Sequence, residues 1–330
     1  MPALSGCGRV NRPVVVEIVM RQSILCVFVI SILIVAGAEP CRAHGTVGDY
    51  TFLEPLVAED ANPKNEFDIL RPQWTRSAEG RDFSLGYSLE KIIVPAPAWM
   101  SDGAPGGGLV SILVGNSWNY QSPKEGPPAS GFGELETMAK WAFWTVPQRE
   151  FRLSIAIAMD IPVGNAAVEE QHHTQLGPEF LWAKGFGRDF PEKGIFKYLR
   201  PFAIQGDFGY APALGGATWH EMFADNVIEY SLPYLSNNVK DLGLPWPIRN
   251  MYPFVEFNYD QLITGPSGQT FPQINVTPGI AFMNSSLELS VGTQLAVNQA
   301  TVPNNHATVI GLVDLFIDDI IPQTNWTPFN

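Results

Sequence analysis

The chain has 330 residues, 45% of them hydrophobic and 16% charged, which is too much apolar side chain for a disordered polymer. Its formal charge is -13 at pH 7, and without residues 1–43, which carry four Arg and two Glu, it holds 16 basic and 31 acidic residues, a balance of -15. Such a balance excludes nucleic acid as a partner, because that binding rests on neutralising phosphates.

Residues 1–19 have no signal character, so Met20 reads as the true start and the preceding piece as an extension. Arg21 then leads into the apolar run 24–36, and Cys41, Arg42, Ala43 ends on a small residue. A basic start, an apolar stretch and a small-residue site describe a secretory signal over 20–43, cut after Ala43. A cut after Ala38 satisfies the same rule. The run falls short of the about 20 residues of a transmembrane helix, which leaves an uncleaved anchor as the weaker reading. All three cysteines, Cys7, Cys26 and Cys41, precede the cut, so the processed chain is expected to hold no disulfide, thiolate metal site or cysteine nucleophile. Glu39 and Pro40 stand where lipidation at Cys41 would want small residues. From 44 to 65 the sequence reads as a loop-like periplasmic leader.

Beyond it, period-two alternation predicts twelve strands, at about 66–76, 82–94, 108–120, 131–146, 150–163, 173–185, 199–210, 227–238, 251–263, 273–285, 287–298 and 307–320. The fifth is the plainest: Phe151, Leu153, Ile155, Ile157, Met159 and Ile161 alternate with Arg152, Ser154, Ala156, Ala158 and Asp160. A strand that crosses a bilayer at a tilt needs about 9 to 11 residues, against roughly five or six for an ordinary one. Behind a secretion signal, the pattern predicts an all-β fold, a closed antiparallel transmembrane β-barrel of about 12 strands over 66–330. The short links 146–150 and 284–286 read as tight turns. The longer ones, 95–107, 165–172, 211–226 and 239–250, read as extracellular or rim loops.

The faces follow from the same alternation. Phe83, Leu85, Tyr87 and Leu89 oppose Asp82, Ser84, Ser88 and Glu90, while Leu287, Leu289, Val291 and Leu295 oppose Glu288, Ser290, Gln294 and Asn298. The lumen is therefore expected to receive Glu134, Glu136, Lys140, Arg152, Asp160, Glu179, Asp207, Glu256, Asp260, Glu288 and Gln294, with Lys184 as a further cation for the acids. Trp74, Trp118, Tyr120, Trp144, Trp182, Tyr210, Tyr230, Tyr234, Tyr252 and Tyr259 lie near strand ends, as in an aromatic girdle.

Several motifs then point to a family. Gly131, Phe132, Gly133, Glu134, Leu135 running into Ala139, Lys140, Trp141, then Ile161, Pro162, Val163, Gly164, and later Thr277, Pro278, Gly279, Ile280 with 287–298, resemble the meta-pathway phenol-degradation family of outer-membrane proteins. The resemblance covers roughly 80–320 and implies an outer-membrane barrel that carries aromatic or other hydrophobic compounds. The ending Trp326, Thr327, Pro328, Phe329, Asn330 departs from a common barrel ending, with the aromatic next to last.

Enzymatic signatures are lacking. There is no Gly-x-Ser-x-Gly elbow and no zincin arrangement. Adjacent His172 and His173 point apart in an extended segment, and His44 would chelate copper only as a processed N-terminus. No enzyme and no cofactor is expected. The leading function is a passive channel of the Gram-negative outer membrane for small, aromatic or hydrophobic solutes, with membrane lipid and the barrel-insertion machinery as partners. A leader lodged in the lumen would fit slow, selective passage. The alternatives are a non-transporting envelope scaffold or surface-binding barrel, and a secreted soluble β-sandwich or lipocalin-like carrier.

Overall fold

A sheet of such long strands closes on itself, because an open edge of that length would leave a row of unpaired N–H and C=O groups. A computed structural model of the protein shows that closure. It describes residues 45–77, 80–101, 107–168, 173–214, 220–264, 272–298, 305–321, 323 and 326–329, with only the backbone of 101, 264, 305 and 306. The extension 1–19, the signal 20–43, His44 and His172 lie outside the described residues, as does the side chain of His306.

A small hairpin, β1 (Thr46–Val47) with β2 (Tyr50–Thr51), precedes the barrel. The wall is built from β3 (Glu66–Ser77), β4 (Gly80–Pro95), β5 (Gly108–Pro123), β7 (Leu135–Val146), β8 (Phe151–Ile161), β9 (Gln175–Gly185), β10 (Phe202–Pro212), β11 (His220–Tyr230), β12 (Met251–Thr264), β13 (Pro272–Met283), β14 (Leu287–Ala296) and β15 (Asn305–Phe316). Each pairs antiparallel with its neighbour in the chain, and β15 pairs back onto β3, giving a closed 12-stranded barrel. The short β6 (Ala129–Phe132) pairs with the far end of β5 and leads through Gly133 and Glu134 into β7, so the two form one interrupted strand.

Outward positions carry the large apolar side chains. Ile157 is 56% exposed, Val291 50% and Trp141 47%, while Arg152, Ser154 and Ala156 between them are buried. Ile157 sits on no second layer, which excludes the β-sandwich alternative. Every wall strand has at least ten residues, enough to cross a bilayer at a tilt. Among the described residues no helix is long and apolar enough to cross a membrane.

Three expectations need correction. The strand expected at 227–238 is β11 at His220–Tyr230, because Ser231 caps a helical turn, its Oγ accepting the N–H of Tyr234 at 3.1 Å, with Pro233 inside that turn. Tyr234 and Tyr252 are not girdle residues: at 4% and 3% exposure they point inward. Lys184 lies on the outward face of β9, where it pairs with Asp189 beyond the strand and donates to the Arg149 carbonyl at 2.8 Å. The long links also divide between the two rims. Those after β4 and β11 share a rim with both chain ends of the barrel, and those after β8 and β10 lie at the opposite rim.

Candidate functional site

The region read as a leader occupies the barrel interior from Gly45 on. It has Pro55 and Pro63 and no regular pairing after the hairpin, so its backbone N–H groups have no partners of their own. Inside a closed sheet an unpaired N–H costs about 1–3 kcal/mol, and the wall meets that need with carboxylates. Glu229 accepts from Leu53 at 3.1 Å, Glu288 from Glu54 at 3.1 Å, Asp207 from Glu59 at 2.5 Å and Glu90 from Lys64 at 3.1 Å. Glu256 accepts from three consecutive residues, Leu56 at 2.6 Å, Val57 at 3.0 Å and Ala58 at 3.4 Å. The Gln205 side chain donates to the Leu53 carbonyl at 2.8 Å, and the Ser154 hydroxyl to that of Ala61 at 2.5 Å.

Hydrogen bonds alone would not hold the segment. Ordering a residue costs about 1–2 kcal/mol, and a bond to a charged group returns about 1.5–3. Apolar burial supplies the rest, at about 1.5–3 kcal/mol for each large side chain. Leu53, Leu56 and Ala58 pack against Val227, Phe254, Ile310 and Leu312 on one side of the lumen. Val47, Tyr50, Phe52 and Ala61 pack against Ala156, Leu181, Ala203 and Tyr234 on the other. The interior is therefore not uniformly polar. Wall positions such as Val227, Leu181 and Leu312 face inward as hydrophobes because they meet this segment rather than water.

Charges gather where the segment returns to the wall. Lys140 Nζ lies 2.6 Å from Glu59, 3.4 Å from Asp60 and 3.3 Å from Glu90. Lys64 Nζ pairs with Glu54, and lies 3.0 Å from both Asp60 and Glu66. Arg71 reaches Glu54 at 3.2 Å and Asp68 at 3.6 Å, and Arg152 donates to Asn62 at 2.9 Å and Thr145 at 3.1 Å. Asp60 sits between the two lysines. Burial pushes its carboxyl up, but the Lys140 and Lys64 ammoniums, with help from the Asn62 N–H, outweigh that and hold it well below the usual carboxylate range. Lys64 is likewise kept protonated: burial opposes its charge, and Asp60, Glu54 and Glu66 overcome that. The two sets of three carboxylates close enough to share a cation, Glu54, Asp60, Glu66 and Glu59, Asp60, Glu90, each surround one of these lysines.

Of the residues named from the sequence, Lys140, Arg152, Asp207, Glu256 and Glu288 touch the segment. Glu136, Asp160 and Glu179 instead line an open cavity of about 280 Å³ beyond its turning point, together with Glu59 and Arg71. Asp260 and Gln294 occupy inward positions on β12 and β14, half-buried and away from the charged cluster. Glu134 lies half-buried in the break between β6 and β7. Sequence reasoning missed Glu54, Glu59, Asp60, Lys64, Glu66, Arg71 and Glu229, and it set Glu90 on the polar face of its strand without naming it for the site. The one available signal was the density of charge between 54 and 66, interleaved with Leu53, Leu56 and Val57, in a stretch with no period.

No family model matches the sequence, and no curated protein matches it either. Solved structures do. An outer-membrane channel from Pseudomonas putida F1 superposes with a TM-score of 0.52 at 10% identity, over 80% of this chain and 99% of that one. The porin KdgM gives a TM-score of 0.37 at 8% identity over 75% and 97%, and an outer membrane phospholipase A from Escherichia coli gives 0.36 at 10% over 79% and 95%. The last two likenesses are too loose to bear on activity. The first establishes a shared fold, a closed antiparallel β-barrel.

Proposed function

We propose that the protein is a passive channel of the Gram-negative outer membrane for small solutes, closed at rest by its own segment 45–65. One observation supports this reading: Glu59, at the turning point of the segment, lines a cavity of about 280 Å³ inside the barrel, so the segment lies in the path a solute would take. Movement of the segment along the wall would clear it. The apolar outer belt supports placement in lipid, reached through the insertion machinery that such barrels use. Aromatic or hydrophobic solutes follow from the resemblance to the meta-pathway phenol-degradation family. We propose no reaction: Glu229, Glu256 and Glu288 are taken up by backbone N–H groups of the segment, and Asp60 and Glu90 by the Lys64 and Lys140 ammoniums.

Residues 45–330 hold no cysteine, so a single engineered pair can test the gate. Ser154 and Ala61 touch across the segment and wall. With both changed to Cys, oxidation should suppress solute flux in proteoliposomes, and reduction should restore it. Flux that ignores the lock would refute the gate. No flux from the reduced or unmodified protein would leave the scaffold reading in its place.

A further inference from the structure

We propose that the cavity beyond segment 45–65 is a binding site for small organic cations, with the ligand ammonium seated on Glu179. The inference rests on the channel reading and names the solute class that its open end selects. Glu59 is already matched by Lys140 at 2.6 Å, and Arg71 is taken by Glu54 and Asp68. Glu136, Asp160 and Glu179 make no ion pair or hydrogen bond among the described residues, although all three line the cavity. Glu179 is only 9% exposed, and among the described residues it has no ion-pair partner, Lys140 acting on it only from beyond contact. Gln175, 6% exposed on the same strand and in the same lining, leaves its Nε2 without a partner, and since that donor calls for an acceptor the ammonium is answered by Glu179 and not by Gln175. A carboxylate so placed is completed by a ligand cation.

The chemistry favours an organic ammonium over a metal ion. Among the described residues, the carboxylates close enough to share one metal ion are the two sets already filled by Lys64 and Lys140, and Glu179 belongs to neither. A spread of separate carboxylates suits a ligand with several N–H donors and a body of its own. That body has a place to lie: Phe223 lines the cavity, packed over Gly209, where any Cβ would come within 2.1 Å of its ring. A flat aromatic wall near carboxylates attracts a cation through its ring face. The volume, about 280 Å³, takes one ring and a short chain.

Calorimetry on the detergent-solubilised full-length protein tests this with three probes of similar shape: 2-phenylethylammonium, 2-phenylethanol and 3-phenylpropionate. The ammonium should bind at least about tenfold more tightly than the other two, and Glu179→Gln should weaken it by about tenfold or more. Equal binding of the alcohol, or an unchanged affinity in Glu179→Gln, would overturn the proposal, as would displacement of the ammonium by stoichiometric calcium. If Glu179→Gln fails to fold, the comparison of the three probes on the unmodified protein decides alone. Binding is read without transport, so the two readings fail separately: an amine bound but never passed sinks the channel, and flux without amine binding sinks the site.

Discussion

The Glu256 carboxylate accepts the backbone N–H of Leu56 at 2.6 Å, and these residues lie two hundred positions apart in the chain. The same carboxylate takes the next two N–H groups, at 3.0 and 3.4 Å, so one side chain holds three successive peptide units of the internal segment. Replacing it with Ala leaves those donors dry and unpaired. Glu256→Ala should loosen the segment by about 1–3 kcal/mol, seen as faster hydrogen exchange at 56–58 and a higher basal flux. Unchanged exchange there would show that the apolar packing holds the segment unaided.

Lys140 is the shared counter-charge of Glu59, Asp60 and Glu90, and its ammonium is almost wholly enclosed. Lys140→Met keeps the volume and strands those carboxylates. A loss of about 3–5 kcal/mol is expected, read as a lower denaturant midpoint, and Asp60→Asn in the same chain should restore part of it. A double variant no more stable than Lys140→Met would show that Asp60 and Lys140 act independently.

Asp60 gives the segment a pH dependence of known sign. Its folded carboxyl lies below the unfolded value of about 3.8, so its contribution is complete above that pH and is lost as pH falls further. Mild acid should leave the segment seated as far as Asp60 is concerned. Below about pH 4 the stability of the native chain should fall more steeply than that of Asp60→Asn. Parallel curves for the two proteins over that range would remove Asp60 from the account.

On the outer wall, Ile155 is 40% exposed and its neighbour Ala156 is buried. If lipid covers Ile155, Ile155→Arg should cost about 2–4 kcal/mol in folding into bilayers, with Ala156→Ser mild. Equal tolerance of both would place water, not lipid, against this face.

The wall was legible from the sequence because period two is a local signal. In β8 the alternation appears in the burial of each residue in turn from Phe151 to Ile157, and 158–161 are all half-buried. β11 was misplaced for a physical reason. The alternation Ile228, Tyr230, Leu232, Tyr234 runs on past the strand into a Pro-bearing helical turn, while the strand's first half has outward Met222 and Ala224 and inward Glu221, Phe223 and Asp225, a weak contrast. Segment 45–65 could not be located by pattern at all. Its partners, among them Glu229, Glu256 and Glu288, are chosen by closure of the sheet, and an irregular backbone carries no period to announce them. The same blindness hid the inward hydrophobes: Val227 and Leu312 break the rule that the enclosed face is polar, and they do so because of what they enclose.

Segment 45–65 runs without interruption into β3, and β3 is one side of the seam that β15 completes. The strand that completes the wall and the segment that fills the lumen are therefore one continuous piece of chain, like a clasp fastened to its own strap. The connection at Asn65 and Glu66 thus ties what occupies the barrel to the seam that closes it.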